Sequence, residues 1–132
     1  MLDKKILTIA TETRSWAEKH VYCFSDDLEG LCAIASVELF RRLKQQKIEA
    51  KIHLASHDEF LHCYVTVNDY VVDLTATQFG HSDKVVVKPH NSHMTIFNWY
   101  WRPIKTFDCE KKLIRYQRKI GWSYDQIWTK EQ

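Results

Sequence analysis

Four short β-branched segments lie in a row between Lys47 and His90: EAKIHLAS, LHCYVTV, YVVDLT and KVVVKPH. Polar turns separate them, and the pair Asn68-Asp69 divides the second from the third. Runs of this length and type, bounded by such turns, read as strands. They predict a small antiparallel sheet from Lys47 to His90, and the rest of the chain must cover it. Before the sheet, Leu2, Ile6, Leu7, Ile9, Ala10, Trp16 and Ala17 fall at roughly helical spacing, which predicts an amphipathic helix over about 2–19. VYCFSDDLEG follows, and its Ser-Asp-Asp cluster marks a loop or a helix start. In LCAIASVELFRRLKQQ, Leu31, Ile34, Ala35, Leu39 and Leu43 form one stripe, while Arg41, Arg42, Lys44 and Gln45 form a wet side. This predicts a second helix with Cys32 in its first turn. After the strands come the aromatic IFNWYWRPI, a helical candidate CEKKLIRYQRKIGW and a short end SYDQIWTKEQ. The order helix, helix, strands, helix is that of an α+β fold, with the helices segregated from the sheet.

The chain has 132 residues, which is one domain by length and enough to bury a real core. The domain expected is 1–132, with a core over about 21–90 and a C-terminal aromatic and basic segment over 96–132. Three glycines and two prolines leave little room for flexible linkers. A formal net charge of +2 is too small to imply a nucleic-acid partner. It is unevenly spread: residues 1–101 hold 11 Lys/Arg against 13 Asp/Glu, and residues 102–132 hold 8 against 4. The start MLDKKILTIATETRSWAEKH has charges where the apolar stretch of a signal peptide would be. No apolar run approaches the roughly 18 residues of a membrane helix. The cysteines Cys23, Cys32, Cys63 and Cys109 lack CxxC spacing, so the expectation is reduced thiols in a cytosol and no membrane.

A turn at Asn68-Asp69 predicts the pairs Val67–Tyr70, Thr66–Val71, Val65–Val72, Tyr64–Asp73 and Cys63–Leu74. His62, Tyr64, Thr66, Val71, Asp73 and Thr75 then share one face. Cys63, Val65, Val67, Tyr70, Val72 and Leu74 share the other, which is nearly all apolar and must be the core. On the more polar face His62 and Asp73 are diagonal neighbours, about 7–8 Å apart at Cα and within reach of a hydrogen bond. A carboxylate on one ring nitrogen fixes the tautomer and orientation of an imidazole and leaves the other nitrogen to act as a base. Cys32 is placed to be the nucleophile, since a helix N-terminus and a nearby imidazolium both stabilise a thiolate. Backbone N–H groups of the same turn could hold an oxyanion.

The bland alternatives are a small buried cysteine, a histidine at a strand edge and an aspartate out of place. The last is the hardest to accept, because strands disfavour aspartate. Asp26, Asp27 and Glu29 would oppose a thiolate if they faced it; turned outward, an aspartate would cap the helix.

The order of cysteine at a helix start, histidine opening a strand and aspartate on the next strand resembles papain-like and transglutaminase-like cysteine hydrolases. The local texture is closest to small bacterial papain-fold domains of toxins and effectors. There a helix with Cys, Ala, Leu and Leu is followed by a strand with His and then by DxTxxQF. The matching stretches are GLCAIASVELFRRL, HCYVTV and VVDLTATQF, within Gly30 to Phe79. The resemblance implies a papain-like core and a thiolate that attacks an acyl carbon to form a thioester. Water then releases an acid, or an amine takes the acyl group. Cys32 would be the nucleophile, His62 the general base and acid, and Asp73 the orienter, with Thr75 and Gln78 supporting. The substrate class implied is an amide of a protein, met as a peptidase or as a glutamine deamidase or transglutaminase-like enzyme. No cofactor or metal is called for. Papain-like enzymes carry an oxyanion-hole glutamine shortly before the cysteine, whereas this chain reads CFSDDLEGL there. A second oxyanion donor is therefore unassigned.

Two other groupings compete. His53, His57 and His62 could bind zinc if HLASHDEFLHC were one helix, but KIHLAS reads as a strand and scatters them. His81, His90 and His93 read as loop residues. The tail interleaves Trp99, Tyr100, Trp101, Tyr116 and Trp122 with Arg102, Lys105, Lys111, Lys112, Arg115, Arg118 and Lys119. Such a pattern suits single-stranded nucleic acid. The plainer reading is a helix with Leu113, Ile114, Ile120 and Tyr116 supplying the buried stripe and its lysines wet, able to dock on an acidic protein. The class that competes with an enzyme is an inert papain-like module that binds a protein or nucleic acid through this tail.

Overall fold

A computed structural model describes residues 3–20, 32–57, 60–79, 82–90, 95–96, 99–100 and 102–120. Expectations for Cys23, Asp26, Asp27, Glu29, His81, His93, Trp101, Trp122 and the final segment lie outside those residues.

The three helical patterns fold as helices: α1 over Lys4–His20, α2 over Cys32–Gln45 and α3 over Glu110–Ile120. In α2 almost every residue from Cys32 to Leu43 is buried, because α1 covers one side and the sheet the other. Ala33, Ala35 and Ser36 keep the helix thin enough for both contacts. Val37, Leu39, Phe40 and Leu43 fill the space between, each contributing about 1.5–3 kcal/mol by leaving water. The helix stops through its backbone. Lys47 takes a left-handed φ of 60°. Its N–H bonds to Lys44 O at 2.9 Å, and Ile48 N–H bonds to Leu43 O at 2.9 Å, which is a Schellman ending. In α1 the buried stripe is Ile6, Ala10, Thr13, Arg14 and Ala17, while Leu7 is exposed.

The strands are β1 over Lys51–His57, β2 over Phe60–Val67, β3 over Tyr70–Asp73, β4 over Val86–Pro89, β5 over Thr95–Ile96, β6 over Trp99–Tyr100 and β7 over Arg102–Phe107. Five form one antiparallel sheet in the order β4-β3-β2-β1-β7, and β5 pairs with β6 apart from it. The sheet therefore extends past the expected 47–90. β7 lies beside β1 at one end of the sheet formed by the described residues and carries Pro103, which suits an edge strand. Asn68 and Asp69 take φ of 51° and 65°. That is the left-handed pair a two-residue hairpin turn needs, and these two residue types tolerate it. The register is Val65–Val72, Thr66–Val71 and Val67–Tyr70, as the turn predicts.

One large cluster joins α1, α2, Leu113 of α3 and Phe107 of β7 to Cys63, Val65, Val67, Val72 and Leu74. The second face of the hairpin is buried as well. Tyr64, Val71, Ala55, Ala76 and Val86 form a smaller cluster there. The face read as merely more polar is thus an interior, in which a histidine and an aspartate must find partners. Arg41 holds Glu110 with both Nε and Nη2, tying α3 to α2. No described helix is long and apolar enough to cross a membrane.

Candidate active site

Cys32 is the first residue of α2, and α2 packs across β2. That crossing brings the start of the helix to His62 and Cys63 on the strand. Cys32 shares side-chain hydrogen bonds with both residues. The Cys63 backbone also hydrogen-bonds to the Cys32 sulfur. The neighbours His62 and Cys63 point to opposite faces of β2, as successive strand residues must. Cys32 is nonetheless the hydrogen-bond partner of both.

His62 Nε2 and Asp73 Oδ2 are 2.6 Å apart. The second Asp73 oxygen, Oδ1, accepts from the Thr75 backbone N–H at 2.9 Å. Both carboxylate oxygens are therefore held, one by the ring and one by the chain. With Nε2 committed to Asp73, Nδ1 is the nitrogen that serves Cys32. Gln78 Nε2 lies 3.3 Å from that same Nδ1 and donates to Thr75 Oγ1 at 3.3 Å. Gln78 belongs to a single 3₁₀ turn over Ala76–Phe79 that follows β3. All five residues singled out from the sequence thus meet in one place.

Burial makes the electrostatics strong. Cys32, His62 and Asp73 are 2%, 0% and 1% exposed. The hydrogen bond from Cys63 does most to pull the Cys32 thiol down, from an ordinary 9.0 to about 5. Burial opposes it, and His62 adds to it through a hydrogen bond and its charge. Burial alone would push His62 down, but the Asp73 carboxylate and Cys32 outweigh it and raise the ring from 6.5 to about 10. Burial pushes the Cys63 thiol well up, and the neighbouring thiolate adds to this, so Cys63 keeps its proton at neutral pH. Near neutrality the site holds a thiolate, an imidazolium and a protonated thiol that donates to the thiolate.

Two further residues shape the site without having been expected. Arg14, 2% exposed on α1, donates from Nη1 to Leu74 O at 2.7 Å and to Thr77 Oγ1 at 3.0 Å. Glu18, one turn on, lies 3.4 Å from Arg14 Nε. This clamp fixes the chain between Asp73 and Gln78 to the first helix. Cys63 is the other addition. The Arg14 signal was present in the sequence: Thr13 and Arg14 interrupt the apolar stripe between Ala10 and Ala17 at positions that must face inward.

His53, on the same face one strand over, has a different environment. Its Nε2 is 2.7 Å from Thr66 Oγ1 and its Nδ1 is 3.2 Å from Thr106 Oγ1. It stacks on Tyr64 with ring centroids 5.1 Å apart. Burial, then the charges of His90 and Lys51, push it down to about 4, so it stays neutral. The zinc alternative fails on these contacts, since His53 is taken up by hydroxyls and His62 by Asp73. Among the described residues no group of three or more His, Cys, Asp or Glu is placed to hold a metal. Comparisons of the chain with protein-family models, curated proteins and solved structures find no match in any of the three.

Proposed function

We propose that this chain is a papain-like cysteine hydrolase or acyltransferase that acts on an amide of a protein substrate through Cys32, His62 and Asp73. The observation that carries the reading is the chain of contacts from the Cys32 thiol to His62 and from His62 Nε2 to Asp73 at 2.6 Å. The same three side-chain types in this relation make a nucleophile, a proton carrier and an orienter.

The directions of the pKa shifts set the order of proton transfers. The thiolate is already formed at neutral pH, so His62 does not need to deprotonate Cys32 during attack. The sulfur adds to the amide carbon, and the imidazolium gives its proton to the leaving nitrogen. His62, now neutral, takes a proton from water or an acceptor amine as that attacks the thioester. Asp73 keeps the ring aimed throughout and balances its charge. For the developing oxyanion, the backbone N–H at the start of α2 is one donor. The Gln78 carboxamide, on the Nδ1 side of the ring and held by Thr75, is suited to be a second. The deep position of Cys32 favours a slender acyl group, such as a glutamine side chain, over a main-chain peptide bond. A reducing cytosol, its own or that of a target cell, would keep the nucleophile a thiol.

Iodoacetamide at neutral pH tests the reading. Cys32 labels fastest of the four cysteines, and His62→Ala slows it. Slow, uniform labelling of all four sinks the enzyme. Mass spectrometry of a candidate protein substrate then identifies the reaction: a gain of about 1 Da marks deamidation and a break in the chain marks proteolysis.

One observation favours the competing module. Lys111, Lys112, Arg115, Arg118 and Lys119 are all exposed along α3. In that reading the helix docks on an acidic protein, and substituting Arg115 and Arg118 by alanine abolishes binding while leaving Cys32 labelling intact.

A further inference from the structure

Cys63 makes and breaks no bond in acyl transfer, yet it is a fully buried free thiol that touches the nucleophile. It sits directly after His62 on β2, and its sulfur shares a hydrogen bond with that of Cys32. A carbon side chain would fill a core position equally well. Two thiols in contact beside a histidine make a redox pair, and the contact crosses from α2 to β2 rather than running along one element.

We propose that Cys63 is a resolving thiol: when hydrogen peroxide oxidises Cys32, Cys63 closes a disulfide with it and switches the site off reversibly. The proposal rests on the reading of Cys32 as a reactive thiolate, but its readout needs no substrate. In the first step the Cys32 sulfur attacks one peroxide oxygen. An S–O bond forms, the O–O bond breaks, and the departing hydroxide takes the proton of His62 to leave as water. Cys32 is now a sulfenic acid and His62 is neutral. The Cys63 sulfur then attacks the Cys32 sulfur. The S–S bond forms, the S–O bond breaks, and the departing hydroxide takes the Cys63 proton to leave as water. Two thiols are oxidised by two electrons in all, and one peroxide is reduced to two waters.

A disulfide needs its sulfurs about 2.05 Å apart, and each of these thiols is the other's hydrogen-bond partner. Both lie in one packed cluster, so the closure stays within the site. Without Cys63 a sulfenic acid at Cys32 would go on to the sulfinic acid, which ordinary thiols do not reverse.

The test is peroxide treatment of the intact chain, followed by peptide mapping without reduction. The expected result is a linked peptide pair joining Cys32 to Cys63, with the protein about 2 Da lighter. Iodoacetamide labelling of Cys32 is lost and returns fully with dithiothreitol. In Cys63→Ser, whose hydroxyl can still donate to the thiolate, Cys32 instead gains about 32 Da as the sulfinic acid and dithiothreitol restores nothing. Cys32 linked to Cys23 or Cys109, or Cys32 left unoxidised in the wild type, overturns the proposal, and the wild-type result stands whether or not the variant folds. A Cys32–Cys63 disulfide in a protein that modifies no amide would retain the switch and reject the acyl chemistry. Amide turnover without that disulfide would do the reverse.

Discussion

The Asp73 carboxylate grips His62 Nε2 at 2.6 Å from the neighbouring strand, with both side chains sealed from solvent. The grip does more than orient the ring. It keeps the ring positively charged in a place where burial would otherwise strip the charge, and the charged ring in turn helps to hold Cys32 as a thiolate. Asp73→Asn keeps the shape and removes the charge. An asparagine can donate to Nε2, which moves the ring proton to Nδ1 and leaves His62 neutral. The Cys32 thiol then rises towards its ordinary range. Iodoacetamide labelling of Cys32 at neutral pH is expected to slow by about 10-fold or more, with the far-ultraviolet circular dichroism unchanged. Unchanged labelling would mean that Asp73 has only a structural role.

The same pair predicts how stability varies with pH. Between about 6.5 and 9 the unfolded chain carries a neutral thiol and a neutral imidazole, whereas the folded site carries a thiolate and an imidazolium. Each state holds one proton, so the pair gives no slope there. Below 6.5 the unfolded chain holds the extra proton, and stability falls as pH drops towards about 5, the folded value of Cys32. Above 9 the folded site holds the extra proton, and stability falls as pH rises through about 10, the folded value of His62. Cys32→Ser removes one partner. His62, still raised by Asp73, then makes stability decline from about 6.5 upward, by at most about 1.4 kcal/mol per pH unit. Urea midpoints of both proteins between pH 6 and 9 check this: the two curves diverge as pH rises, and parallel curves would refute the ion pair.

Much of this site could be read from residue order, and the rest could not, for identifiable reasons. The Asn68-Asp69 turn fixed the hairpin register, and the register put His62 beside Asp73. Cys32 needed only a helix start, which its stripe supplied. By contrast, β7 buries Phe107 alone and is otherwise exposed, so RPIKTF carries no alternation to mark a strand. The contact of Cys63 with Cys32 depends on how α2 crosses β2, a long-range packing outcome that no local pattern encodes. Cys63 was correctly placed on the core face, but that face also meets the helix start. Arg14 is of a type usually found at the surface. Only its place in the buried stripe of α1 says otherwise.

Arg14 is the support whose loss should be felt at a distance. It bonds Leu74 O and Thr77 Oγ1, on either side of Thr75. Arg14→Met keeps the bulk but leaves a buried carbonyl without that donor, while Glu18 keeps Lys84 at 2.9 Å. The expected cost is about 2–4 kcal/mol, read as a lower urea midpoint. The turn bearing Gln78 loosens too, so Cys32 labelling slows even under conditions where the variant is fully folded. Arg14→Lys reaches one acceptor at a time and falls between. Full stability in Arg14→Met would show that the clamp is incidental.

At the far end of α2, Lys47 holds a left-handed backbone with φ of 60°. A residue with a Cβ pays roughly 1–2 kcal/mol for that conformation, and glycine avoids it. Glycine also costs entropy in the unfolded chain, so the net gain is smaller. Lys47→Gly is therefore expected to raise stability by about 0.5–1 kcal/mol, seen as a rise of a few degrees in the melting temperature. The Schellman bonds of Lys47 and Ile48 use backbone atoms alone and survive the change. Lys47→Val should act in the opposite direction, since branching at Cβ makes the left-handed region worse. Because the substitution sits at the opposite end of α2 from Cys32, labelling of the thiol should not change. A shift in labelling would mean that the C-terminal turn of α2 sets the position of its first residue.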